Sequence, residues 1–213
     1  MKERTSLSEI WSEFLRKKTN FILLLFSFFA MVLMLHFTAR FIVSVEQRNG
    51  FSFNDPILSL FEPLDLTWLI FSFLYFSVLL SFVLLLRNPK ELVLAFLSYS
   101  FLLFLRISCM YFLPLNPPND IILLKDPIIE YFGTDVTLTK DLFFSGHTSL
   151  MFLLFLLIHN KPAKFFLFFA TLVVGLGVIF QKAHYTIDVV IAILASFCSY
   201  EWTKRILKYF KFF

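Results

Sequence analysis

The chain has 213 residues, of which 59% are hydrophobic and only 16% charged, where soluble domains average about 25% charged residues. A mean hydropathy of +0.80 and 32 phenylalanines exclude an ordinary soluble domain and describe an integral membrane protein. The net charge of +4 gives no nucleic-acid partner, because the positive residues fall between apolar runs, where membrane topology accounts for them.

The first predicted element is "SLSEIWSEFLRKK". Ser6 and Glu9 make a capping-box pattern, and Leu7, Ile10, Trp11, Phe14 and Leu15 recur at helical spacing. This predicts a short amphipathic helix lying on the membrane surface, inside an N-terminal segment of residues 1–20. The apolar run that follows is too long for a signal-peptide core and carries no small-x-small site, so no cleaved leader is expected.

A spanning helix needs about 20 mostly apolar residues. Six runs approach that: 21–43, 66–86, 91–113, 142–160, 164–181 and 186–203. The expected fold is all-α: a six-transmembrane-helix bundle with a short N-terminal interfacial amphipathic helix. Residues 21–203 would form the catalytic membrane domain and residues 204–213 a basic tail. Cys109 and Cys198 both lie in apolar runs and offer neither a disulfide framework nor metal-knuckle spacing. Among the connections expected on one face, only Arg48, Lys125, Lys140 and Lys182 are basic, whereas the N-terminal tail, the second and fourth loops and the C-terminal tail hold most of the 19 lysines and arginines. The positive-inside rule then puts both termini in the cytoplasm of a multi-pass cell-membrane protein, with loops one, three and five outside.

On that orientation three polar segments meet at the outer face. "FLRISCMYFLP" closes the third span, "SGH" opens the fourth and "HYTID" opens the sixth. His184 and Asp188 are spaced i, i+4 and share a helix face. The aspartate can fix the tautomer of the imidazole and leave its other nitrogen free as base, ligand or nucleophile. His147 follows Ser145 and Gly146 at a helix N-terminus, where free N–H groups bind anions. Arg106, costly inside a span without a task or a partner, suits bidentate phosphate binding. Together these parts fit phosphoryl transfer: one histidine attacks phosphorus, the other protonates the departing alkoxide, and Arg106 with the helix-terminal amides holds the remaining oxygens. No metal is required and no cofactor is expected.

"DLFFSGHT" followed by "HYTIDVVIA" resembles the sphingomyelin synthase branch of the type 2 phosphatidic acid phosphatase superfamily. The resemblance rests on Asp141, Ser145, Gly146, His147 and Thr148, then His184, Tyr185, Thr186 and Asp188; "RISCMYFLP" adds Arg106, Tyr111, Leu113 and Pro114. It implies a six-helix bundle with an outward-facing site, His184 as nucleophile paired with Asp188, and His147 as acid. Arg106, Tyr111, Asp141, Ser145, Gly146 and Tyr185 are the expected substrate-binding residues. The partner would be a membrane lipid, a phospholipid or lipid phosphate in the bilayer, with water or a lipid alcohol as acceptor. The wider superfamily's Lys-x6-Arg-Pro motif is missing, and Gly177 and Val178 stand where it carries Ser-Arg; the synthase branch lacks those arginines too.

Plainer roles compete at several positions. Arg106 also fits a structural ion pair, Tyr111 an interfacial belt residue, and Asp141 a helix cap. Asp55 and Asp65 read as caps, His159 as structural, and Gly175 and Gly177 as close helix contacts. The third loop, Leu115 to Lys140, is long enough to be a lid or a head-group entrance. A rhomboid-like serine protease using Ser145 and His184, a metal site, or a non-enzymatic membrane protein are the alternative functions.

Overall fold

The structure is a computed structural model that describes residues 6–126 and 138–213. The middle of the third loop, with whatever part it plays as a lid, lies outside the described residues, as do Lys2 and Arg4. Every named element is helical, and among the described residues the only β-type pairing is a single bridge between Phe51 and Leu115.

Helix α1 (Leu7–Leu15) begins where the sequence says it should: the Ser6 hydroxyl accepts from the Glu9 N–H and the Glu9 carboxylate accepts from the Ser6 N–H. Its apolar face is divided. Trp11 donates its indole N–H to the Leu86 carbonyl at 2.9 Å and Phe14 is buried, while Leu7 and Leu15 are exposed. The helix therefore docks on the protein with one part of that face and leaves the other part outward.

Five helices follow that are long and apolar enough to cross a membrane: α2 (Lys18–Glu46), α3 (Thr67–Leu85), α4 (Pro89–Phe112), α6 (Lys161–Phe180) and α7 (Thr186–Tyr209). This is a multi-pass membrane protein. The expected fourth span over 142–160 is shorter than expected: α5 is Gly146–Leu157, 12 residues, roughly 18 Å at 1.5 Å per residue against a hydrocarbon core of ~30 Å. Local chemistry cuts it at both ends. Ser145 caps its start, and at its end Asn160 already caps α6 through the Ala163 N–H, with Pro162 in the first turn of the next helix.

The short helix is the centre of the bundle. It packs against α6 and α7 and also touches α3 and α4, while α2 lies along α4. Met151, Leu153, Leu154 and Leu157 of α5 are buried, whereas α2 exposes Phe26, Phe29 and Leu33, as a lipid-facing helix would. Gly177 of α6 sits against α3: a Cβ there would come within 2.8 Å of Ile70 Cγ1. A Cβ on Gly175 would meet Val189 of α7 and Thr148 of α5 at 3.3 and 3.4 Å.

The connections sort to two ends. At one end Phe14 meets Phe212 edge-on at 6.3 Å, the Lys90 ammonium lies 5.7 Å from the Phe212 ring centre, and His159 lies 3.5 Å from Glu91. The expected basic tail is largely helical, because α7 continues to Tyr209 and Phe212 folds back into the core. At the other end loops one and three are laced together: Phe51 and Asn116 exchange backbone hydrogen bonds with Pro114 and Phe51, and the Asn116 amide group bonds Gly50. A Cβ on Gly50 would lie 2.5 Å from the Leu115 carbonyl carbon, so only glycine permits that approach. The Leu64 and Ile122 N–H groups reach the carbonyls of Phe180 and Gln181 at the same end.

Candidate active site

At this second end three chain segments converge. The first is α4, where Arg106 lies six residues before the terminal Phe112 and is 4% exposed. The second is the extended run ahead of α5. Glu46, the last residue of α2, holds that run: its carboxylate accepts from the Thr139 N–H, the Thr139 hydroxyl and the Lys140 N–H, and the Lys140 ammonium donates to the Arg48 carbonyl at 2.7 Å. Asp141 then faces Arg106, with Oδ1 2.5 Å from Nη2. The other terminal nitrogen of Arg106 donates to the Phe144 carbonyl. Gly146 lies flat against this guanidinium, since a Cβ there would be 2.6 Å from Nη1 and 2.8 Å from Cζ. Burial alone would raise the Asp141 carboxyl; the charge and hydrogen bond of Arg106, together with the nearby His184 and His147, outweigh it and hold the group below the ordinary carboxylate range.

The third segment is the turn into α7. His184 Nδ1 lies 3.2 Å from Asp188 Oδ2, and that oxygen also accepts from the Tyr185 N–H at 3.2 Å. Asp188 is fully buried and His184 is 4% exposed. The Asp188 carbonyl accepts the Ser145 N–H at 3.2 Å, which ties the first turn of α7 to the start of α5. His147 sits in the first turn of α5, half-buried, its ring edge-on to Phe71 at 5.5 Å. Its Nδ1 and Asp188 Oδ1 are buried without a hydrogen-bond partner among the described residues. Buried polar atoms are seldom left unpaired, and chemistry, a ligand or an ordered water commonly accounts for those that are.

Arg106, Asp141, Gly146, His147, His184 and Asp188 are thus brought to one place, with Tyr185 on its far side, its hydroxyl donating to the Asn116 carbonyl at 3.0 Å and its ring stacked on Phe53 at 4.0 Å. Tyr111 is not among them. It is 58% exposed at the end of α4, with the Arg48 guanidinium 5.4 Å from its ring centre. Ser145 is fully buried and its hydroxyl bonds the N–H and hydroxyl of Thr148, so it is the cap of α5. That corrects the reading of Asp141 as the cap, which instead pairs with Arg106. The Ser145 hydroxyl is thereby engaged at Thr148, and among the described residues no hydrogen bond joins it to His184.

Three acids at this end were given no part in it. Asp55, read as a cap, does cap, but across the fold: its carboxylate accepts the Thr186 N–H of α7 at 2.7 Å and the Ile57 N–H at 3.0 Å. Burial would raise its carboxyl, and those two amides hold it down instead. Asp65 accepts the Thr67 N–H at the start of α3. Glu46 lies at the end of an apolar run, where one acid signals only a helix end; its partners lie more than ninety residues away, and no local pattern announces them.

A family model described as PAP2 superfamily C-terminal matches residues 140–206, a stretch of less than a third of the chain that begins beside Asp141 and takes in His147, His184 and Asp188. No curated protein and no solved structure matches significantly. The family match supports the type 2 phosphatidic acid phosphatase superfamily and a membrane enzyme of the phosphatase or phosphotransferase type.

Proposed function

We propose that this chain is a membrane enzyme that cleaves or transfers a phosphate or phospho-head group of a lipid through a phosphohistidine on His184. The observation that carries the reading is the junction of α5 and α7: the Ser145 N–H on the Asp188 carbonyl ties the Ser-Gly-His turn to the His184–Asp188 pair. Asp188 engages Nδ1 of His184 and leaves Nε2 free. The Nε2 lone pair forms the bond to phosphorus while the bond from phosphorus to the leaving oxygen breaks. That oxygen departs with the electron pair and takes a proton from His147. Asp188 stabilises the imidazolium that develops. Arg106 keeps N–H groups beyond those given to Asp141 and Phe144, and with the amides that open α5 it would grip the phosphoryl oxygens. In the second half His147 takes the proton of the incoming water or lipid alcohol, whose oxygen attacks phosphorus as the bond to His184 breaks.

In this reading α5 is the fourth of six crossings, since it runs from the end that holds His184 to the end that holds His159. Both termini are cytoplasmic, the site faces outward, and α1 rests at the interface. The choice between a phosphatase and a sphingomyelin synthase-like transferase lies in the acceptor. Purified protein in vesicles is to be incubated with labelled phosphatidylcholine, phosphatidylethanolamine and phosphatidic acid, with and without ceramide or diacylglycerol, and the products read by mass spectrometry. His184→Ala is expected to abolish turnover and any acid-labile phosphoenzyme. His147→Ala is expected to lose about 10²-fold or more on alkoxide-leaving lipids and far less on substrates with a good leaving group. Full activity in the His184→Ala protein overturns the scheme.

A further inference from the structure

Helix α6 ends in a turn that the phosphoryl chemistry does not use. Gln181 is fully buried and fastens the turn to α3, its carbonyl oxygen taking the Leu66 N–H and its amide nitrogen donating to the Thr67 hydroxyl at 2.8 Å. Lys182 follows in the left-handed region, φ 53°, with its N–H on the Ile179 carbonyl. Only 7% of Lys182 is exposed, yet among the described residues its ammonium makes no hydrogen bond and no ion pair. The Phe61 ring centre lies 6.0 Å from the ammonium. The stem is covered while the ammonium keeps some contact with water at the cleft it lines, where a single distant aromatic face is a weak partner for a cation.

Lys182 also lines a cleft of about 390 Å³, together with Asp55, Ser59, Asn119, Asp120 and Tyr185, within the size range of small-molecule sites. The cleft is built from loops one and three, which Asn116 and Gly50 lace together, and it shares the 182–185 turn with His184. Neither acid of the cleft forms an ion pair with Lys182 among the described residues. Asp55 is engaged by the α7 and Ile57 amides, and Asp120 lies exposed on the third loop.

We propose that this cleft is a head-group subsite in which Lys182 takes an anionic group, carboxylate or phosphate, carried by the substrate's head group beyond the phosphorus that His184 attacks. The proposal rests on the phosphohistidine reading for what enters the site, and on the unpaired ammonium for what the cleft selects. Asp120 at the cleft would take an ammonium or hydroxyl hydrogen on the same head group.

The test uses the full chain in detergent and soluble head groups that share a phosphate. O-Phosphoserine differs from phosphoethanolamine by a carboxylate, and glycerol bisphosphate differs from glycerol phosphate by a second phosphate. Affinity is read by titration calorimetry and by the shift in Tm. One of the doubly anionic compounds is expected to bind about tenfold or more tightly than its partner, and the compound that does so identifies the anion. Lys182→Gln is expected to erase the difference and Lys182→Arg to keep most of it. Equal binding within both pairs by the wild-type protein overturns the proposal, and does so even where Lys182→Gln fails to fold. A difference that persists in a Lys182→Gln protein of unchanged Tm overturns it as well. Loss of the phosphoenzyme reading leaves a separate signature: no acid-labile phosphate on His184, whatever the outcome of these titrations.

Discussion

Arg106 has two partners at once, the Asp141 carboxylate and the Phe144 carbonyl. A buried guanidinium is tolerable only on those terms. The consequence can be read in the pH dependence of stability. Burial raises the Asp141 carboxyl, but the charge and hydrogen bond of Arg106, with His184 and His147 nearby, together lower it further, so the folded-state value is depressed. Stability from this pair is fully present above the unfolded value, about 3.9, and is lost as pH falls through the lower folded one. Tm measured in detergent from neutral to acid pH is expected to decline below about pH 4. Asp141→Asn is expected to melt lower at pH 7 and to show a flatter acid limb, retaining the part owed to Asp55, which is depressed in the same way. An acid limb identical to that of the wild type would show that Asp141 adds nothing to it.

Among the elements, α6 meets its neighbours through glycine. Gly177 admits the Ile70 side chain so closely that a methyl group would lie 2.8 Å from Cγ1, and Ile70 is itself fully buried. Gly177→Ala is expected to destabilise the bundle by about 1–3 kcal/mol, the usual range for overpacking, read as a lower Tm with phosphoryl transfer intact in whatever fraction remains folded. Ile70→Val should recover part of the loss. That contact was legible in the sequence, because small residues in an apolar helix have few other uses, and so were the capping box of α1, the bounds of α3 and α4 to within two residues, and the i, i+4 pairing of His184 with Asp188. The length of α5 was not. Leu-Ile-His-Asn reads as apolar until Asn160 is seen to cap the following helix, and the apolar Phe143 and Phe144 read as span although Phe144 turns its carbonyl to Arg106. Asp55 and Glu46 escaped for a different reason: each acts on a segment more than ninety residues away, and sequence spacing carries no information about such pairs.

At the scale of the molecule, the bundle has one end sealed by aromatic packing of its termini and another built from interlocked loops over a polar floor. Arg106 lies about 9 Å below the end of α4, and α5 starts at that same level, so the floor is sunk within the bundle. In vesicles of fixed head group, turnover is expected to fall as the acyl chains are lengthened, because a thicker slab lifts phosphates away from a fixed depth. A rate that is flat across such a series would mean that the floor lies level with the head groups.

The truncated α5 has a further result for the traffic of substrate and product. On the proposed reading, a helix that begins below the ends of its neighbours lets a lipid tip its polar end inward while its tails stay in their own leaflet. On that reading no molecule has to be hoisted into water, and the lipid left behind already lies in the bilayer.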